Sequence, residues 1–240
     1  MNHKKLEAKS VPMAILVSIL VTIGGLVEIV PLYTVDQQVV KIEDVEPYRP
    51  LELEGRDIYL REGCYTCHSQ AVRPFRDETE RYGPYSKAGE YVYDRPFQFG
   101  SKRTGPDLQR EGGANVDSWH YLHFKDPRVT SPGSIMPNYP WLYEAKLDRS
   151  ATMKKLEVLK KLGTPYDEKY DDEEWVMKQM DRDSKRIAER IARDLKEDVP
   201  PDTEVIALIA YMQKLGADIK WRKKYCTISQ CWPSSSKAFW

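Results

Sequence analysis

The run VPMAILVSILVTIGGLVEIVPLYTV, Val11 to Val35, holds one ionisable acid, Glu28, and no Lys or Arg. At about 1.5 Å per residue it reaches across a hydrocarbon layer of about 30 Å, which predicts one transmembrane helix. A cleaved signal peptide has an apolar region of only about 7–15 residues and a small-residue cleavage site, and neither fits. After this run the pattern changes. PYRP, Pro47 to Pro50, predicts an extended linker, because proline lacks a backbone donor and turns the residue before it away from helix. A folded domain is expected from Leu51, with a short helix from Gly55 to Arg61. A segment rich in Gly, Pro and Tyr follows from Ala71 to Pro140 without sustained periodicity, as loops wrapped around something would read.

Beyond Trp141 helical spacing returns. Met153, Leu156 and Leu159, then Ile187, Ile191 and Leu195, recur at three or four residues among many charges, as in amphipathic helices with solvated faces. The clearest helix is the last. Asp202 or Thr203 can cap it, Val205, Leu208, Ile209 and Met212 form one apolar stripe, and Gly216 suits its end. No internal repeat and no convincing strand pattern is present, so the expected class is mainly α. The chain divides into an N-terminus at 1–10, an anchor at 11–35, a linker at 36–50, a domain at 51–216 and a tail at 217–240.

Composition adds little and excludes something. Lys+Arg 37 equals Asp+Glu 37, so no basic excess points to nucleic acid. Charge near the anchor is informative: Lys4, Lys5 and Lys9 precede it, Asp36 follows, and the next basic residue is Lys41. The positive-inside rule then places the N-terminus in the cytoplasm and the domain outside the inner membrane, in the periplasm of a Gram-negative cell. Glu28 can snorkel to the interface or contact another membrane subunit.

The chemistry lies in EGCYTCH, Glu62 to His68. C-x-x-C-H is the attachment signature of c-type haem. Cys64 and Cys67 can form thioethers to one porphyrin edge, and His68 then falls under the iron. A thioredoxin-like pair expects a βαβ context, and tetrahedral zinc needs further Cys or His ligands. A plain disulfide is the remaining rival. For the second axial position, Met136 lies in SPGSIMPNYPW, a proline-stiffened loop, whereas Met153, Met177, Met180 and Met212 lie on predicted helices. His120 and His123 in DSWHYLHFKDPR are the rival ligands. In TGPDL, Thr104 to Leu108, the Pro106 carbonyl is the candidate acceptor for the other ring nitrogen of His68. Arg73 is a candidate partner for a haem propionate. Cys226 and Cys231 form CTISQC, read as a disulfide outside the cytoplasm, with two free thiols as the alternative.

With these features in place the chain closely resembles the mono-haem subunit II of C-family, cbb-type haem-copper cytochrome c oxidases. The resemblance rests on LELEGRDIYLREGCYTCHSQAVRPF (Leu51 to Phe75), ERYGPYSKAGEYVYDRPFQFGSKRTGPDL (Glu80 to Leu108), WHYLHFKDPR (Trp119 to Arg128), MPNYPWL (Met136 to Leu142) and TEVIALIAYMQKLG (Thr203 to Gly216). It implies a single N-terminal transmembrane helix followed by a cytochrome c-like haem domain with long loops and extra charged helices. It also implies one covalent haem c, bound through Cys64 and Cys67 with His68 and Met136 as axial ligands. The implied partners are a polytopic haem-copper catalytic subunit, which reduces oxygen, and a further c-type cytochrome subunit or soluble cytochrome c as donor. This chain would be a non-catalytic electron-transfer subunit. From Lys220 onward the tail matches nothing in the family. The spacing of Cys64 to His68 alone says only electron carrier, so a tethered cytochrome shuttling between periplasmic partners and a haem-based gas sensor are the competing readings.

Overall fold

The computed structural model describes residues 3, 7–34 and 42–219. They fall into two units that divide after Ile42. The first holds α1, Ser10–Thr34, whose segment Ser10–Pro31 has a mean hydropathy of 2.5 and no buried residue. With 25 residues, α1 is long enough and apolar enough to cross a membrane. Its apolar residues face outward on every side, with Leu20, Val21 and Val27 more than half exposed.

The second unit is helical. It contains α2 (Pro50–Arg61), α3 (Arg76–Tyr82), α4 (Asp117–Lys125), α5 (Pro127–Thr130), α6 (Trp141–Glu144), α7 (Thr152–Lys161), α8 (Glu173–Leu195) and α9 (Glu204–Lys214). Among the described residues there is no strand, only one isolated antiparallel bridge between Lys146 and Thr203.

α2 begins at Pro50, earlier than the Gly55 expected from sequence. The reason is local. Proline at the first helical position sacrifices an amide that has no intrahelical partner anyway. Glu52 Oε2 accepts the Arg49 amide at 2.8 Å, and the Leu53 amide reaches the Arg49 carbonyl at 2.8 Å. The linker residues ahead of it are not all solvated: Val45 is buried, and the Tyr48 ring packs on Tyr211 at 5.7 Å.

α2 and α9 pack at very close range. A side chain at Gly55 would run into the Ala207 carbonyl and come within 2.9 Å of Tyr211 Cβ, so only glycine permits this crossing. α9 differs from the single stripe expected of it, since every residue from Glu204 to Met212 is buried. It is the centre of the core, with α2, α4, α6 and α8 all packed on it. α8 is amphipathic as expected, burying Val176, Met180, Ile187, Ala188 and Ile191 on one side. Asp172 caps its start by accepting the Glu174 amide at 3.0 Å, and Lys196 in the left-handed region (φ 57°) ends it.

The irregular segment between the haem motif and α4 is pinned by buried charge pairs. Arg56 Nε lies 2.6 Å from Asp94 Oδ1, with both side chains buried. Arg110 Nη1 lies 2.5 Å from Glu90 Oε2, again buried on both sides. These ion pairs act beside the segment's buried Val72, Tyr91 and Tyr93, and they also take up loop carbonyls, as Arg56 does with Pro96 at 2.7 Å. The charged region after Leu147 is likewise partly tied in: Lys155 reaches Glu54 at 2.6 Å and Asp57 at 2.7 Å, and Arg190 reaches Asp117 at 2.6 Å.

Candidate haem site

Gly63, in the left-handed region at φ 70°, lets the chain leave α2 and enter a single 3-10 turn over Cys64–Thr66. The amides of Cys67 and His68 both return to the Cys64 carbonyl, at 3.1 and 2.9 Å. One tight turn thus gathers both cysteines and the histidine. Both thiols are free, Cys64 half-buried and Cys67 exposed. Burial, then the Glu62 carboxylate, pushes the Cys64 thiol up to about 12. At neutral pH it is a protonated thiol. Among the described residues no group of three His, Cys, Asp or Glu converges to hold a metal ion.

His68 is fixed from the far side. Its Nδ1 donates to the Pro106 carbonyl at 2.8 Å, across 38 positions of sequence. Burial lowers the His68 pKa, outweighing the Pro106 carbonyl and the Asp107 carboxylate, which act the other way. The ring is therefore neutral, with Nδ1 carrying the proton and Nε2 left with the lone pair that iron requires. Gly105 forms the cradle: a side chain there would come within 2.8 Å of both ring nitrogens and closer still to Cε1. The Gly105 amide donates to Cys67 O and the Leu108 amide to Ser69 O, each at 2.9 Å.

Three observations fit this site to a c-type haem. Two unpaired thiols sit on one turn, the histidine tautomer is set by a carbonyl, and a glycine leaves the ring the space it occupies. Cys64, Cys67, His68 and Pro106, all singled out from sequence, come together here.

Met136 stands in the loop between α5 and α6, partly buried against the hydrophobic core. Its amide donates to Ser134 Oγ at 3.2 Å. The loop is anchored on α4 and α5 by the Tyr139 amide to Phe124 O at 3.0 Å and by Arg128 Nη2 to Asn138 Oδ1 at 3.0 Å. It also meets the haem turn. The Trp141 indole N–H donates to Glu62 Oε2 at 3.1 Å, and burial followed by the two cysteines pushes the Tyr139 phenol up to about 12.

The two histidines of α4 are occupied differently. His123 Nδ1 meets Thr130 Oγ1 at 2.6 Å, and its ring stacks on Trp119 at 4.5 Å. Burial, then the neighbouring His68, lowers its pKa to about 4. His120 is 2% exposed, and its Nε2 has no hydrogen-bond partner among the described residues. Glu111 Oε1 lies 3.6 Å from it, too far for a hydrogen bond, and accepts from Asn115 at 2.7 Å instead.

Arg73 is engaged with protein: its Nε donates to Glu78 Oε1 at 2.6 Å, and its amide to Glu78 Oε2 at 2.9 Å. Burial alone would raise the Glu78 pKa, but hydrogen bonds from Arg73 and Arg103 outweigh it and hold the carboxyl down to about 2. Sequence reasoning did not single out Ser69 and Asp107. Ser69 Oγ donates to Asp107 Oδ2 at 2.7 Å in the buried layer behind His68. The signal available was positional, since each polar residue directly follows a site residue, His68 or Pro106. Cys226 and Cys231 lie outside the described residues.

A helical domain that buttresses the histidine of a C-x-x-C-H turn with a Gly-Pro carbonyl, preceded in the chain by a helix able to cross a membrane, has the make-up of an anchored c-type cytochrome. A family model described as cytochrome c oxidase, mono-heme subunit/FixO matches residues 3–219, and the chain belongs to this family. No curated protein sequence matches the chain. Membership makes it a mono-haem subunit of a cytochrome c oxidase, in agreement with the resemblance read from Leu51 to Gly216.

Proposed function

We propose that this chain is the electron-transfer subunit of a membrane-bound cbb-type oxidase, accepting electrons from a c-type cytochrome and passing them to the haem-copper subunit that reduces oxygen. The observation that carries the reading is the 2.8 Å bond from His68 Nδ1 to the Pro106 carbonyl, which leaves Nε2 free as a ligand. Cys64 and Cys67 would attach a haem c, His68 and Met136 would ligate its iron, and the group would supply one-electron carriage.

The protein's own residues provide the setting. His68 gives a neutral nitrogen held in one orientation. The loop that carries Met136 is tied at Phe124, Arg128 and Glu62, which leaves it little conformational freedom to lose. α1 anchors the chain with its N-terminus in the cytoplasm and residues 51–216 as the periplasmic electron-carrying domain. No oxygen-reducing site is assigned to this chain.

The test is purification through a C-terminal tag in mild detergent, with haem staining, identification of co-purifying chains and oxygen uptake from a reduced cytochrome donor. Co-purification of a polytopic haem b and copper subunit with cyanide-sensitive uptake is the expected result. A single haem-stained band, alone and inactive where other oxidase complexes survive, would replace this reading with a tethered shuttle.

A further inference from the structure

We propose that Asp107 is a positioning residue for the haem's histidine ligand. It staples the turn carrying Pro106 to the segment carrying His68, and its charge, countered by Arg103, sets how readily the haem takes an electron. The inference rests on the reading that His68 ligates haem iron.

The Asp107 side chain is completely buried, at 0% exposure. Oδ2 accepts from Ser69 Oγ at 2.7 Å and from the Ala71 amide at 2.8 Å, while Oδ1 accepts from the Gln109 amide at 2.9 Å. Every one of these partners is a donor, the set that an ionised carboxylate requires when water is excluded. Two of them, Ser69 and Ala71, belong to the strip directly after His68. One carboxylate therefore joins the residue following the ligand to the residue following the acceptor. With the bonds from Gly105 to Cys67 and from Leu108 to Ser69 alongside, neither His68 nor Pro106 can shift without the other.

Beyond Asp107 the charges alternate outward. Arg103 Nη2 lies 3.4 Å from Asp107 Oδ2 and 2.8 Å from Glu78 Oε2, and it donates to Ala71 O at 3.1 Å. Its guanidinium sits over the Tyr82 ring at 5.4 Å. Glu78 in turn holds Arg73, whose side chain is 49% exposed. A buried carboxylate favours the oxidised, more positive haem. A firmly accepted Nδ1 proton, which makes the imidazole a stronger donor, acts in the same direction. Arg103 opposes the first by neutralising the carboxylate.

The signs separate this role from a merely structural one. In the full-length, haem-loaded protein, Asp107→Asn removes the charge at constant shape. It is expected to favour the reduced haem by about tenfold at fixed potential, a rise of about 59 mV for one electron. Arg103→Gln exposes the carboxylate and is expected to move the potential the opposite way by several-fold, with the double variant lying between the two. Redox titration followed in the haem absorption bands reads all three. Electron equilibria at fixed potential within about twofold of wild type, or single variants that shift in the same direction, would overturn the proposal and leave Asp107 a fold-stabilising residue. If Asp107→Asn fails to accumulate, Arg103→Gln decides alone: a fall supports the proposal, and no change or a rise overturns it. A wild-type chain without covalent haem overturns the reading on which the proposal rests, and that result is distinct from an unmoved potential.

Discussion

Glu62 Oε2 accepts the indole N–H of Trp141 at 3.1 Å. The bond ties the residue just ahead of the C-x-x-C-H turn to the end of the loop that carries Met136. It is partly exposed, with Trp141 48% accessible, so its net contribution is modest, about 0.5–1.5 kcal/mol. Trp141→Phe keeps the ring and removes the donor. The expected outcome is a slightly lower thermal midpoint, together with a ferrous haem that binds carbon monoxide more readily as the methionine loop loosens. Carbon monoxide titration of the reduced variant checks it.

Removing the thioether itself has a larger effect. Met136→Ala is expected to lower the haem potential by more than about 59 mV, or tenfold in the electron equilibrium, because methionine opposite histidine raises the potential. Oxygen reduction by the complex should slow accordingly. A variant with unchanged potential and turnover would remove Met136 from the ligand set.

Gly105→Ala tests the cradle. The added carbon would overlap a ring already fixed at Nδ1 by Pro106 and at its backbone by Cys64. Overpacking ordinarily costs about 1–3 kcal/mol, and here the ring has nowhere to relax. The expected outcome is loss of the low-spin haem spectrum in a chain that is still made and membrane-bound. An unaltered spectrum would mean that the turn yields more easily than its hydrogen bonds suggest.

The acid side of the stability profile should carry the mark of His120. Burial, then the nearby His123, lowers its pKa to about 3, against about 6.5 in an unfolded chain. Between those values the unfolded state binds the extra proton. This contribution is therefore complete above about pH 6.5 and is lost as pH falls, by at most about 1.4 kcal/mol per pH unit. Denaturant melts of the solubilised chain from pH 7 to 4 should show the slope, and His120→Phe should flatten it by about one proton.

Arg56→Met is expected to destabilise the fold by about 3–5 kcal/mol, because it leaves Asp94 buried and unpaired. Asp94 Oδ2 already lacks a hydrogen-bond partner among the described residues, and the backbone hydrogen bond from Gln98 to the carboxylate does not replace the guanidinium's charge. Urea melts of the variant against wild type check this, and a loss below 1 kcal/mol would show that the loop around Asp94 can admit water.

Where a feature depends on neighbours along the chain, it was legible in advance. The haem turn is set by spacing within five residues, Cys64 to His68, and the amphipathic pattern of Ile187 and Ile191 emerged as a helix burying that side. Pro50 misled because proline reads as a linker signal, whereas at the first helical position it starts α2. α9 was expected to show one stripe but is covered on every side, since the burial of Ile206 or Ala207 depends on how many helices gather around it. Arg73 followed the same logic: its charge was visible, but Glu78 as its partner was not.

The sequence by itself determined an apolar helix over the run from Val11 to Val35, the cysteine and histidine turn, the Gly-Pro pair and the helical character of the rest. These are local properties of spacing, hydrophobic period and backbone freedom. The Pro106 acceptor for His68 was already a candidate in the sequence; only the tertiary structure decided that Asp107 meets Ser69, that Glu78 meets Arg73 and that Trp141 meets Glu62. Those residues are separated by irregular segments with no period to extrapolate, and their approach is fixed by burial and by buried charges that must find donors.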